Sequence, residues 1–505
     1  MTCPPDCIVL RGGKFDPEDG AGAHDLADRF SDLVREAPQH LAIYFHGGLV
    51  PRQNGLAQAA VLAPEFRAAR AEPLFVIWES GVWEIISQNL PAIFDEDIFQ
   101  NIHRRVSQLV KGKLDKLLGP PGAKSISGLP LDSEEEIQAE IDKGSGMFGD
   151  IAFADIQAST APSPEEALSS EEKAHIEAEI DKDFRLREEL RAITAGRTSP
   201  GEARSKGFSS SIVKKTLIDP EVLDDIAPIE PAASDEGQAK SILGTIALGK
   251  HVVTVVGSVI WRFAHRRDHG PYLTIIEEIM REFYVRAIGR NVWLGMKKAI
   301  DAAFEPATDR GGSALVDRLH GMWSSGVKPT VTLIGHSAGA IYVARLLREL
   351  DARMSHDFRV NVVLIAPACT FKALGECFRS AASRVANLRI FGMSDPLERK
   401  DAIVPVIFPA SLLYFVSGVL EDDRDQPLVG MARYYSAPYG SEGFEEIAAI
   451  TASNALSRQH PFAWAKATLA DGANCDMTSH GGWASAPDTL ASVKYLLQKG
   501  SNSDW

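Results

Sequence analysis

The sequence predicts an α/β fold: a mostly parallel central sheet flanked by helices, carrying a large and mainly helical insertion. Three observations predict it. Short apolar runs rich in β-branched residues alternate with helix-spaced amphipathic stretches near both ends of the chain. One such run, Val331-Thr332-Leu333-Ile334, enters Gly335-His336-Ser337-Ala338-Gly339-Ala340 and leaves as a helix-spaced segment, Ile341 to Leu350. Between residues 91 and 309 helical and polar patterns interrupt the alternation over a stretch of domain size. The expected division is a core made of residues 1–90 and 310–505, with 91–309 inserted and 113–240 partly mobile.

The elements follow in order. Cys7 to Leu10 reads as a strand, and Asp25 to Ala37 as an amphipathic helix with Leu26, Phe30, Leu33 and Val34 on one face. His40 to Phe45 is a buried-type strand that runs into His46-Gly47-Gly48-Leu49-Val50. Two glycines there let the backbone approach a ligand closely and aim an N–H at it. Gly55 to Ala71 reads as a helix and Pro73 to Trp78 as the next strand. Glu79, Trp83 and Glu84 beyond it suit either a pocket mouth or a loop cap.

The insertion begins with polar, acidic sequence. Ser133-Glu134-Glu135-Glu136 and Ser169-Ser170-Glu171-Glu172 each match a capping box at a helix start. Gly144-Ser145-Gly146-Met147-Phe148-Gly149 follows an acidic helix rather than a strand, which argues against a dinucleotide site. Gly119 to Ser125 lacks the glycine that a phosphate loop needs before its lysine. Ser241 to Phe263 is a long apolar run with Lys250 and His251 at its middle. It fits a buried helix pair, a lid over an apolar site, or a peripheral membrane or lipid contact. Tyr272 to Phe304 reads as helix returning to the core.

After the central turn, Arg359 to Pro367 and Asn387 to Ser394 read as strands, the second ended by Asp395-Pro396. Ser411 to Leu420 reads as a helix or hairpin, Glu421 to Asp425 as a solvated acidic loop, and Ala465 to Leu469 as the last core strand. His480 stands in a glycine-bearing loop ahead of a helix from Asp488 to Gln498.

Strand, Gly-x-Ser-x-Gly and helix in succession resemble the nucleophile elbow of the α/β-hydrolase superfamily, its esterases and lipases especially. The glycines Gly335 and Gly339 leave room for a sharp turn that exposes a serine at a helix start. The resemblance implies Ser337 as nucleophile, His480 as base, and a carboxylate after the strand ending near Ser394. Asp395 is the expected acid, with Asp401 and Glu398 as rivals, and His460 is the alternative base. The resemblance also implies an oxyanion hole from the N–H groups of Ala338 and Gly48, or of the neighbouring Leu49. His46 is expected to brace its loop, and His336 to point away from the serine.

The expected activity is hydrolysis of a small-molecule carboxylic ester through an acyl-enzyme, with no metal and no cofactor. An amidase or thioesterase on the same residues, or a non-catalytic interaction protein, is the alternative. A net charge of −15 argues against a nucleic-acid partner. Five scattered cysteines without a C-x-x-C pair suit a reducing compartment, and the first residues have no basic-then-apolar leader, so cytoplasmic residence is expected.

Overall fold

The computed structural model describes residues 6–16, 23–48, 52–78, 82–118, 163–198, 216–228, 237–435, 461–466, 468–500 and 505. Among them lie β1 (Cys7–Arg11), β2 (Lys14–Phe15), β3 (His40–Phe45), β4 (Glu72–Trp78), β5 (Thr330–His336), β6 (Val360–Ile365), β7 (Val385–Met393) and β8 (Phe462–Ala465). They form one sheet in the order β2-β1-β4-β3-β5-β6-β7-β8, parallel throughout except for the β1–β2 pair.

Every residue of β3 and β6 is buried. Helices cover both faces of the sheet, so these strands read as continuous apolar runs rather than as an alternation. Parallel neighbours need a crossover. The helices Arg52–Ala68, Gly339–Arg353 and Phe371–Ala381 provide it for β3–β4, β5–β6 and β6–β7. Each crossover returns the chain to the same end of the sheet, so the loops after Phe45, His336, Met393 and Ala465 gather along one edge.

The insertion enters between β4 and β5, and its described elements are all helices. Ser169 does cap its helix, Ser170–Lys182. Its hydroxyl accepts from the Glu172 N–H at 3.3 Å, and its own N–H donates to Glu172 Oε2 at 2.8 Å. The long helix Gly237–Ala264 is the hub of the insertion, packed against the helices Asp97–Leu118, Ser170–Lys182, Phe184–Thr198, Pro220–Ile226 and Pro271–Phe283. Leu248, Val252, Val255, Val256, Val259, Ile260 and Phe263 turn inward at helical spacing. The part from Leu243 to Ala264 is long and apolar enough to cross a membrane, yet 61% of its most apolar window is buried within the fold. Of the three readings open to this segment, helix-on-helix packing is the arrangement observed. Val259→Ser is therefore expected to cost about 2–3 kcal/mol through lost burial and an added buried hydroxyl. A thermal melt measures it, and an unchanged Tm would mean that Val259 is not core.

Three expectations need correction. The helix expected over Tyr272–Phe304 is two helices, Pro271–Phe283 and Arg290–Ala302. Tyr284 leaves the helical region at φ −134° and the chain turns again at Gly289, φ +81°. The last strand is Phe462–Ala465, not Ala465–Leu469, because β7 offers its edge to the earlier residues. Of the two readings of Ser411–Leu420, helix is the one observed, Leu412–Phe415 continuing into a wider turn over Val416–Leu420, buried throughout.

The acidic stretch after it is not a solvated loop. Glu421 and Asp425 are buried, whereas Asp422 and Asp423 stay exposed. Glu421 receives the Trp293 indole at 3.0 Å and the Lys297 ammonium at 2.7 Å. Asp425 lies 2.7 Å from His269 Nε2, and Glu277 lies 2.7 Å from that ring's Nδ1. Arg262 in turn meets Glu277 at 2.7 Å and Glu278 at 3.1 Å. Polar and charged side chains from the insertion thus take the place of water around these acids and fasten the insertion to the core. The two glycine-rich stretches near 119–125 and 144–149, and the capping box at Ser133, lie outside the described residues.

Candidate active site

The turn after β5 is strained at its serine. Ser337 adopts φ +51°, a left-handed conformation that is costly for a residue with a side chain. Packing enforces it from both sides. A Cβ on Gly339 would sit 2.2 Å from the Phe45 carbonyl oxygen of β3, and one on Gly335 would lie 2.9 Å from the Ala340 nitrogen. Any side chain there pushes the helix off the strand. The Ser337 N–H is tied to the Ile365 carbonyl at 2.9 Å, so neighbouring β6 also holds the turn. The helix Gly339–Arg353 starts just beyond, with Ala338 at its cap.

His480 comes from the loop beyond β8, and its Nε2 lies 2.9 Å from Ser337 Oγ. The sequence separation is 143 residues, and the sheet edge closes it. A serine hydroxyl donating to Nε2 leaves the proton of the neutral ring on Nδ1. That Nδ1 is buried and has no hydrogen-bond partner among the described residues. Burial, with the His336 ring nearby as a second cause, lowers the pKa of His480 to about 3. The ring is therefore a free base at neutral pH.

The expected carboxylate is elsewhere. Asp395 is engaged by the Tyr414 hydroxyl and by Arg399 Nε, the latter at 2.9 Å, and neither of its oxygens bonds to His480. Burial works to raise its pKa, but Arg399, Arg433 and the Tyr414 bond outweigh it and hold the group below the ordinary value. Its charge is thus already matched. These same cations reach the insertion, Arg433 bonding the Asp268 carbonyl at 2.8 Å and Arg399 the His269 carbonyl at 3.3 Å. Asp401, the rival, is the carboxylate at the histidine: its Oδ2 accepts the His480 main-chain N–H at 2.7 Å. Burial raises the Asp401 pKa and that bond partly offsets the rise. Glu398 is fully buried, and burial first, then Asp401 and Asp395, hold its carboxyl well above the usual range.

On the other side of the serine, the loop after β3 lies against the elbow. A Cβ on Gly47 would fall 3.1 Å from Ser337 Cβ, and one on Gly48 would fall 3.1 Å from Ala338 Cβ and 2.4 Å from Met296 Sδ. Only a glycine backbone comes this close. Among the described residues, neither the Gly48 nor the Ala338 N–H has a hydrogen-bond acceptor. His46 braces the loop as expected. Its Nε2 accepts the Trp78 N–H at 3.0 Å, its Nδ1 reaches the Gly47 carbonyl at 2.7 Å, and its ring stacks on Trp78. Leu49 and His460 lie outside the described residues.

Ser337, His480, Asp401, Gly47 and His336 line one cavity of about 220 Å³, with Ala402, Ile403 and Leu412 as its apolar wall and Asn54 and Gly481 at its rim. No residue of the helix Gly237–Ala264 is among this lining, which separates that helix from the site. Among the described residues, no group of three or more His, Cys, Asp or Glu side chains is arranged to hold a metal ion. The sequence reading missed the His336 contact. The ring lines the same cavity as Ser337, and its Nε2 meets the His480 carbonyl oxygen at 3.0 Å. No sequence signal marks this, because the two residues meet only when β5 and the loop beyond β8 share an edge.

The chain matches no protein-family model, no curated protein and no solved structure with which it was compared.

Proposed function

We propose that this chain is a serine hydrolase of carboxylic esters on an α/β-hydrolase-type core, with Ser337 as nucleophile, His480 as general base and Asp401 as the supporting acid. The observation that carries the reading is the 2.9 Å contact from His480 Nε2 to a serine held at φ +51° on a strand-to-helix turn. Core packing pays no return for such strain, whereas a nucleophile elbow needs it. The order nucleophile, acid, base along the chain, and the loop after β3 beside the serine, also match that family's arrangement.

In the reaction, His480 Nε2 takes the Ser337 proton as Oγ attacks the acyl carbonyl carbon. The imidazolium then hands that proton to the leaving alcohol. The N–H groups of Ala338 and Gly48 stabilise the oxyanion, each worth about 10²–10³ in rate. Water, deprotonated by the same ring, releases the acid and restores the serine. Asp401 stabilises the charged ring while it lasts and holds its loop through the His480 N–H.

The assay is turnover of p-nitrophenyl acetate and butyrate against pH. Because the base is held neutral, the acid limb of kcat/KM is expected to have its midpoint below 6.5, the ordinary histidine value. Protonation inactivates the base, so a lowered pKa moves the loss of activity to lower pH. No turnover of either ester would count against the function, and a midpoint above 7 would count against His480 as the base.

A further inference from the structure

The strand that carries the nucleophile also holds the base. His336 ends β5 and Ser337 follows it in the turn, and both side chains line the same cavity. Ser337 meets the His480 ring, and His336 meets the His480 main chain. A carbonyl oxygen only accepts, so the 3.0 Å contact fixes the proton of His336 on Nε2. The ring is buried, and burial lowers its pKa to about 4, which keeps it neutral. A charged ring there would oppose the imidazolium that forms on His480, whose ring centroid is 5.5 Å away.

His480 has no helix or strand of its own to fix it, and Gly481 and Gly482 follow directly. Its main chain is gripped from both ends, the N–H by Asp401 at 2.7 Å and the carbonyl by His336 at 3.0 Å. The His336 ring also touches the loop on the far side, since a Cβ on Gly47 would lie 3.2 Å from its Nδ1. Resting on the hydrolase reading above, we propose that His336 is a positioning residue: its Nε2–H bond to the His480 carbonyl holds the base loop at the distance at which His480 can deprotonate Ser337. The nucleophile and the grip on its base then move as one dipeptide. A misplacement of about 1 Å at such a site can cost about 10²-fold in rate.

The test compares H336Q, H336N and H336F with the parent protein, using p-nitrophenyl acetate turnover and melting curves. A glutamine amide reaches the place of Nε2, whereas an asparagine amide stops near Nδ1 and phenylalanine offers no donor. The expected result is H336Q within about fivefold of the parent kcat, and H336N and H336F lower by about 30-fold or more, with KM within about twofold throughout. Equal kcat in H336Q and H336N, whether high or low, overturns the proposal, as does a change confined to KM. If H336F does not fold, the Gln and Asn pair decides alone. S337A is measured alongside. If it is as active as the parent, the hydrolase reading falls and the positioning role with it. If it is inactive while H336N matches H336Q, only the positioning role falls.

Discussion

Ser337→Ala is expected to lower ester turnover by about 10⁴-fold or more while leaving the fold in place. The hydroxyl is the atom that attacks, and no other group in the cavity can replace it. Among the described residues its one hydrogen bond is to His480 Nε2. Losing that bond costs about 1 kcal/mol, so Tm is expected to move by only a few degrees. The strained turn survives because alanine keeps the Cβ, and the packing of Gly335 and Gly339 that enforces the turn is untouched. Residual turnover within tenfold of the parent, with KM unchanged, would exclude Ser337 as the nucleophile.

The second large effect separates two carboxylates six residues apart. Asp401→Asn is expected to reduce kcat by about 10²–10⁴-fold, the loss seen when the acid of such a triad can no longer stabilise the imidazolium. An asparagine oxygen can still accept the His480 N–H, so the loop stays and the charge goes. Asp395→Asn acts on a different property. It leaves Arg399 and Arg433 without their partner beside the Asp268–His269 turn of the insertion, and it is expected to lower stability by about 1–3 kcal/mol with kcat within about tenfold. Steady-state kinetics and thermal melts on the two variants decide between them. A larger kcat loss in Asp395→Asn than in Asp401→Asn would return the acid to the position first expected from the sequence.

The structure brings Asp401 rather than Asp395 to His480 for a physical reason. The elbow is legible because its requirement is local: a strand, two positions without room for a side chain, and a helix. The acid is not local. Asp395, Glu398 and Asp401 follow β7 at intervals of three, and each is a reasonable reading of the same loop. What separates them comes from elsewhere in the chain. Arg433 approaches Asp395 from beyond the next helix, Glu398 turns into the core, and the His480 N–H arrives from the loop after β8. The acidic loop at 421–425 was misjudged for the same reason, since its partners Arg262, His269 and Lys297 lie in the insertion. The apolar run before Phe263 was legible as apolar, but not what it packs on. A helix buried by other helices and a lid have the same periodicity.

Asp401 holds the His480 main chain at its N–H, and His336 holds it at the carbonyl. Three strand ends, those of β5, β7 and β8, therefore meet at one histidine. A parallel sheet brings this about without any special loop, because every crossover returns to the same edge.

The central claim is that Ser337 is a nucleophile activated by His480. Reaction with a fluorophosphonate, followed by mass analysis of the digested protein, tests it most directly, because the reagent needs an activated serine but no knowledge of the natural ester. The account predicts one adduct, on the peptide containing Ser337, formed much more slowly in His480→Ala and absent in Ser337→Ala. No adduct on the folded protein, or an adduct on another residue that persists in Ser337→Ala, would contradict it.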